Sequence, residues 1–182
     1  MDLADTMDFI PTQDRADISS FIDTYGTMLY RFCRKLTYSK EDAEDLFQET
    51  WYRVLQKPKK LRLAEHPQSY LCAAALYLWK SQQRKFARRK RLAPETPLDF
   101  ALDSGQNLEG DLLRQAERRL VQDLVDQLPD KFRIPLLLYY NMEMDIAEMA
   151  NILDLPPGTV KSRLYYARQE IKKGLLKHEY VE

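Results

Sequence analysis

Glu148-Met149-Ala150-Asn151-Ile152-Leu153-Asp154-Leu155-Pro156-Pro157-Gly158-Thr159-Val160-Lys161-Ser162-Arg163 reads as two helices joined by a tight turn. Met149, Ala150, Leu153 and Leu155 supply the apolar side of the first helix; Val160, Leu164 and Ala167 supply that of the second. The small Ala150 lets the helices cross closely, and Leu155-Pro156-Pro157 fixes the angle between them. Asp145 followed by Glu148 matches a capping box that starts the first helix. Pro157 suits the first turn of the second, where a missing N–H removes no hydrogen bond. With the apolar positions buried, Lys161, Ser162, Arg163 and Tyr166 stay outside near the start of the second helix. Side chains at that end of a recognition helix reach base edges, and Arg or Lys suits guanine. Thr159 and the free amides of the first turn suit phosphates. A plain helical hairpin with a solvated basic face shares the apolar spacing. Spacing, caps and charge together favour a helix-turn-helix for duplex DNA.

Upstream of this motif, Leu113, Ala116, Leu120, Leu124 and Leu128 form a helical stripe that Pro129 closes. A further helix is expected over about 130–140, with Pro135 in its first turn or at a kink. The last helix should continue from Pro157 to about Leu176. Residues 113–182 thus read as one small all-α domain of four helices. Before it, residues 92–112 hold Pro94, Pro97, Ser104, Gly105 and Gly110, five acids and no base, the composition of a flexible linker.

Residues 18–91 read as a second all-α domain. Ile18, Phe21, Ile22, Tyr25, Leu29, Phe32, Cys33 and Leu36 recur at three- and four-residue steps. Ser39 can cap a helix that buries Ala43, Leu46, Phe47, Trp51, Val54 and Leu55 and ends at Pro58. A basic loop, residues 57–62, leads to a third helix over about 69–89. Residues 1–17 are expected to be a frayed, flexible acidic leader, with Pro11 breaking any early helix.

The 182 residues carry 28 basic and 28 acidic side chains, a formal net charge of +0, so the chain is no uniformly basic nucleic-acid coat. The charges are segregated instead. Residues 41–49 bear Glu41, Asp42, Glu44, Asp45 and Glu49 with no base, a face fit to dock on a basic partner. Residues 80–91 bear Lys80, Arg84, Lys85, Arg88, Arg89, Lys90 and Arg91 with no acid. Tyr70, Tyr77 and Trp79 precede that run. Rings beside cations suit melted nucleic acid, where bases stack and phosphates are paired, although aromatics at helical spacing equally suit a core.

Cys33 and Cys72 are isolated and lack metal-ligand spacing, so reduced core thiols are expected. No cluster of His, Cys or carboxylates suits a metal, no Gly-rich loop suits a phosphate cofactor, and no nucleophile–base pair is evident. Hence no enzyme, no metal and no cofactor are expected. No stretch approaches the ~20 apolar residues of a membrane helix, and the N-terminus lacks a signal-peptide pattern. A soluble, cytoplasmic protein without membrane insertion is the expectation.

The order of acidic helix, basic aromatic helix, acidic linker and helix-turn-helix closely resembles the bacterial sigma factors of RNA polymerase, in particular the small extracytoplasmic function (ECF) group. The resemblance spans about residues 18 to 176 and rests most on residues 42–51, Asp-Ala-Glu-Asp-Leu-Phe-Gln-Glu-Thr-Trp, and on 155–163. It implies that Asp45, Gln48 and Glu49 dock on the clamp helices of the polymerase largest subunit. It implies that loop 57–69 and helix 69–90 open the minus-ten element, with Tyr77, Lys80, Arg84 and Arg88 on that DNA. It implies that Thr159, Lys161, Ser162, Arg163 and Tyr166 contact the minus-thirty-five element, and that residues 92–112 thread through the polymerase. Core RNA polymerase, promoter DNA and an anti-sigma factor are the implied partners. Leu76-Tyr77 stands where the family usually has Arg-Asn, and Tyr166 where Arg is common. A free-standing helix-turn-helix regulator, with N-terminal helices that dimerise or sense a ligand, is the alternative reading; it predicts tight binding to a palindromic site without polymerase.

Overall fold

A computed structural model describes the backbone of residues 12–37, 39–92 and 112–179, and side chains within 19–37, 39–88 and 118–178. Every regular element among the described residues is a helix. The chain divides into two compact units, Met1–Asp103 and Ser104–Glu182. The division falls within the expected linker 92–112, of which 93–111 lie outside the described residues.

The first unit packs α1 (Thr12–Leu36), α2 (Lys40–Leu55) and α4 (Pro67–Leu92) against one another, with short α3 (Pro58–Arg62) between α2 and α4. Leu29, Phe32, Cys33 and Leu36 of α1 are fully buried, as are Ala43, Leu46 and Trp51 of α2 and Leu71, Cys72 and Ala75 of α4. Phe47, expected inside, is only half-buried, at the edge of this core. Its ring meets Tyr30 edge-on at 5.7 Å. Ser39 caps α2 as expected, its Oγ accepting from the Asp42 N–H at 3.0 Å.

Two boundaries differ from the sequence reading, both at prolines. α1 begins at Thr12, so residues 12–17 are helical and not leader; residues 1–11 lie outside the described part. Proline stops a helix from running upstream through it but does not hinder one that begins just after it. Pro58 does follow the end of α2, yet it also occupies the first turn of α3. Its fixed φ is already helical, and buried Leu61 anchors the turn. The expected basic loop 57–62 is therefore mostly a short helix.

In the second unit, α8 (Pro157–Glu179) contacts each of α5 (Leu112–Asp126), α6 (Asp130–Asn141) and α7 (Ile146–Leu153). Pro135 lies inside α6, past its first turn, within the wholly buried run Ile134 to Leu138. An interior proline costs about 3 kcal/mol, while each fully buried aliphatic side chain contributes roughly 1.5–3 kcal/mol. The four neighbouring apolar side chains outweigh the loss. Arg133 is also buried, 1% exposed, which apolar periodicity could not signal. Its Nη2 meets Asp130 Oδ1 at 2.7 Å and its Nε donates to the same oxygen at 3.2 Å, the pairing that makes a buried guanidinium tolerable.

Candidate nucleic-acid interface

The helix-turn-helix is built from local rules. The capping box of α7 is complete: the Glu148 N–H donates to Asp145 Oδ1 at 2.8 Å and the Asp145 N–H to Glu148 Oε2 at 3.1 Å. At the other end Asp154 adopts the left-handed conformation, φ 55° and ψ 53°, which Asp tolerates better than most residues. The Leu155 N–H then reaches back to the Ala150 carbonyl at 3.0 Å and closes the helix. Two residues later Pro157 opens α8. Met149, Ala150 and Leu153 face Val160, Leu164 and Ala167 in the core as the spacing predicts, all at most 8% exposed. Leu155 is half-buried at the turn.

On α8, Lys161 and Ser162 are exposed, whereas Thr159 and Arg163 are half-buried. The Ser162 hydroxyl donates to the Thr159 carbonyl at 3.0 Å, so it is held close to the helix. Tyr166 is 48% exposed, but one side of its ring stacks on Phe132 of α6, with centroids 4.5 Å apart. That contact leaves Tyr166 an edge and one face for any partner, a restriction invisible in the sequence. Tyr165 beside it is 65% exposed and was not singled out from the sequence, because an aromatic amid a polar face carries no periodic signal.

Two of the later cations of α8 are engaged within the protein. Arg168 Nε donates to the Tyr140 hydroxyl at 3.0 Å, and its guanidinium lies 5.1 Å from the Tyr139 ring centroid. Lys173 pairs with Glu170 at 2.7 Å, which raises its pKa by hydrogen bonding and charge. Lys161 has no such internal tie among the described residues. Lys172 and Lys177, near the other end of α8, are exposed as well, but only Lys161 stands at the start of the helix.

In the first unit, Asp45, Gln48 and Glu49 are all exposed, and their i, i+3, i+4 spacing puts them on one face of α2. Leu46, Thr50 and Trp51 fill the opposite face. The Thr50 hydroxyl is satisfied there by the Leu46 carbonyl at 2.6 Å. No ion pair or hydrogen bond engages the side chains of Asp45, Gln48 and Glu49 among the described residues.

The expected minus-ten residues form a stripe on α4. Tyr77, Lys80, Arg84 and Arg88 follow one another at steps of three and four; Lys80 is half-buried and the other three are exposed. Arg53 of α2 covers the Tyr77 ring at 4.7 Å from its centroid. The aromatics upstream split. Trp79, at 4% exposure, belongs to the core with Trp51, so it is no base platform. Neither indole N–H has a hydrogen-bond partner. Exposed Leu63 and Phe86, at 85% and 56%, were not foreseen. Among the described residues no group of three or more His, Cys, Asp or Glu could hold a metal. No described helix is long and apolar enough to cross a membrane.

Two all-helical units, one bearing a capped helix-turn-helix with an open cation at the start of its second helix, define a helical DNA-binding protein. Residues 21–90 match the family Sigma-70 region 2, and residues 118–171 match Sigma-70, region 4. The RNA polymerase sigma factor HrpL of Pseudomonas syringae pv. syringae is 31% identical over 153 residues, 81% of each chain. The ECF RNA polymerase sigma factor SigW of Bacillus subtilis is 26% identical over 175 residues, 89% of this chain and 90% of its own. Among solved structures, the sigma factor RpoE in complex with the anti-sigma factor NepR from Bartonella quintana aligns with a TM-score of 0.74 at 21% identity. That alignment covers 87% of this chain and 96% of RpoE. The chain belongs to the sigma factors of RNA polymerase, in the ECF group.

Proposed function

We propose that the chain binds core RNA polymerase as a dissociable sigma subunit, directs it to a subset of promoters and helps to open the DNA. The observation that carries this reading is the order of the two sigma regions along the chain, each with a polar face left unpaired by its own fold. Residues 18–91 form the polymerase and minus-ten domain, 92–112 the linker, and 113–182 the minus-thirty-five domain. Asp45, Gln48 and Glu49 meet the basic clamp surface of the polymerase. Lys80, Arg84 and Arg88 pair with phosphates of the melted strand, and Tyr77 lies against its bases. Thr159 and Ser162 fix the start of α8 against the backbone, while Lys161, Arg163 and Tyr166 read the groove.

Opening needs no cofactor or hydrolysis on this reading. Flipping a base costs a few kcal/mol, and capture of the exposed strand offsets it. The chain thus acts by binding and not by catalysis, in the cytoplasm where the polymerase works. The RpoE structure holds an anti-sigma factor. By that likeness, sequestration by such a partner is part of the proposal.

The test combines purified chain with core polymerase on promoter DNA and follows strand opening by permanganate reactivity of unpaired thymines. Opening only when both are present is the expected result. Tight, specific duplex binding by the chain alone, indifferent to polymerase, would overturn it in favour of a free-standing regulator. Gln48→Ala with Glu49→Ala is expected to weaken polymerase binding and leave the fold intact, since both side chains are exposed; unchanged polymerase affinity would remove the docking assignment.

A further inference from the structure

Two ring contacts lead from the first turn of α6 to the recognition helix. Tyr166 of α8 stacks on Phe132 of α6, with centroids 4.5 Å apart and planes 23° apart. The ammonium of Lys131 lies 4.8 Å from the centroid of the same Phe132 ring. Lys131 is exposed. Its acidic neighbour Asp130 pairs instead with buried Arg133 at 2.7 Å, and that pairing takes up the carboxylate charge. No ion pair engages Lys131 among the described residues. This turn of α6 therefore presents one uncompensated cation beside the helix that carries Lys161, Ser162 and Arg163.

The two contacts keep that ammonium within about 10 Å of the Tyr166 ring, roughly a Debye length at 0.1 M salt. Duplex DNA carries one negative charge per ~1.7 Å of its axis, and a helix seated in the major groove is flanked by both phosphate strands. A cation held that near the helix meets a phosphate at the groove wall. We propose that Lys131 binds a DNA phosphate beside the groove entered by α8, with Phe132 as the positioning residue that joins it to Tyr166. The duplex surface of the second unit thus extends past the helix-turn-helix onto α6. This rests on the reading of α8 as the duplex-contacting helix.

A phosphate contact and a base contact differ in a measurable way: the first is indifferent to sequence and shortens the salt dependence when lost. The full chain is assembled with core polymerase, and two labelled duplexes are titrated over a salt series. One is recovered from a random pool by the wild-type complex; the other is its scramble. Lys131→Ala and Lys131→Gln are both expected to weaken the two duplexes by the same factor. Each should lower the slope of log affinity against log salt by about 0.9, and Lys131→Arg should keep it. An unchanged slope in both variants, or a loss confined to the selected duplex, overturns the proposal. Lys161→Ala and Arg163→Ala run alongside. If they weaken binding and the Lys131 variants do not, only the α6 contact is lost. If none of the four has an effect, the duplex role of α8 falls, and the Lys131 contact with it.

Discussion

The guanidinium of Arg53 lies 4.7 Å from the centroid of the Tyr77 ring, and so ties the outer face of α2 to the outer face of α4. Arg53 stands four residues after Glu49 and eight after Asp45, on the same line of the helix. The acidic row proposed to meet polymerase thus ends on the aromatic ring proposed to meet melted DNA. A cation–π contact at an exposed site is worth about 0.5–1 kcal/mol. Arg53→Ala is expected to destabilise the first unit by about that much, and Tyr77→Ala made in the same chain should add less than it does alone. Both tryptophans, Trp51 and Trp79, lie in this unit, so urea titrations followed by tryptophan fluorescence read it selectively. A double-mutant cycle with no coupling would show that the two side chains do not touch in solution.

Two glycines of α8 lead to opposite expectations for the same substitution. At Gly158 an added Cβ meets no protein atom, whereas at Gly174 it runs into the Leu124 side chain of α5, well inside contact distance of both methyl carbons. Alanine is favoured over glycine in a helix by about 1 kcal/mol, so Gly158→Ala should stabilise the second unit. Its only penalty would be on a ligand that approaches the backbone closely, and weaker duplex binding with a raised melting temperature is expected. At Gly174 the helix gain opposes overpacking of about 1–3 kcal/mol, and net destabilisation is expected. Pairing Gly174→Ala with Leu124→Ala should recover part of that loss. Thermal melts by far-ultraviolet circular dichroism compare the three variants.

Most of the helices, and the interior of the helix-turn-helix, were legible because their signals are local and periodic. Met149, Ala150, Leu153, Val160, Leu164 and Ala167 are buried at the positions their spacing demands, and the Asp145–Glu148 box is a four-residue rule. What escaped is tertiary. Phe132 and Tyr166 are thirty-four positions apart, and no local pattern pairs them. Arg133 reads as one more surface cation until its helix is turned inward by the apolar run that follows it. Trp79 sits beside a basic segment, and sequence spacing alone left open whether it faces the core or a base. Proline misled twice for one reason: Pro11 and Pro58 were each read as the end of structure, so the first turns of α1, from Thr12, and the short helix α3 were missed.

Removal of the α7 cap tests how far the helix-turn-helix depends on it. α7 has only eight residues, too few to be stable alone, and Asp145 satisfies an amide of its first turn at 2.8 Å. Asp145→Ala removes this acceptor from the Glu148 N–H, while the backbone N–H of residue 145 can still donate to Glu148 Oε2. A loss of about 1 kcal/mol is expected. It should appear in the circular-dichroism transition and leave the tryptophan-monitored midpoint of the first unit unmoved. A shift in both signals by equal amounts would mean that the two units unfold as one.

Alkaline pH should weaken the first unit through its two thiols. Cys33 and Cys72 are fully buried on α1 and α4. Burial pushes the Cys33 thiol up to about 12; Cys72 is raised further, by burial first and by the neighbouring Cys33 second. In the unfolded chain each thiol ionises near pH ~8.5, so above that value the native state holds protons that the unfolded state has released. Stability is therefore complete below pH ~8.5 and falls as pH rises toward 12. Every other contribution to the pH dependence is shared by wild type and variant. Urea midpoints by tryptophan fluorescence at about pH 8 and about pH 10 thus isolate the thiols when wild type is compared with Cys33→Ala, Cys72→Ala. The variant should start lower, from lost packing, yet lose roughly 4 kcal/mol less between the two pH values, given ~1.4 kcal/mol per pH unit above ~8.5 for each of the two thiols. Equal losses in the two proteins would mean that water reaches these sulfurs in the native state.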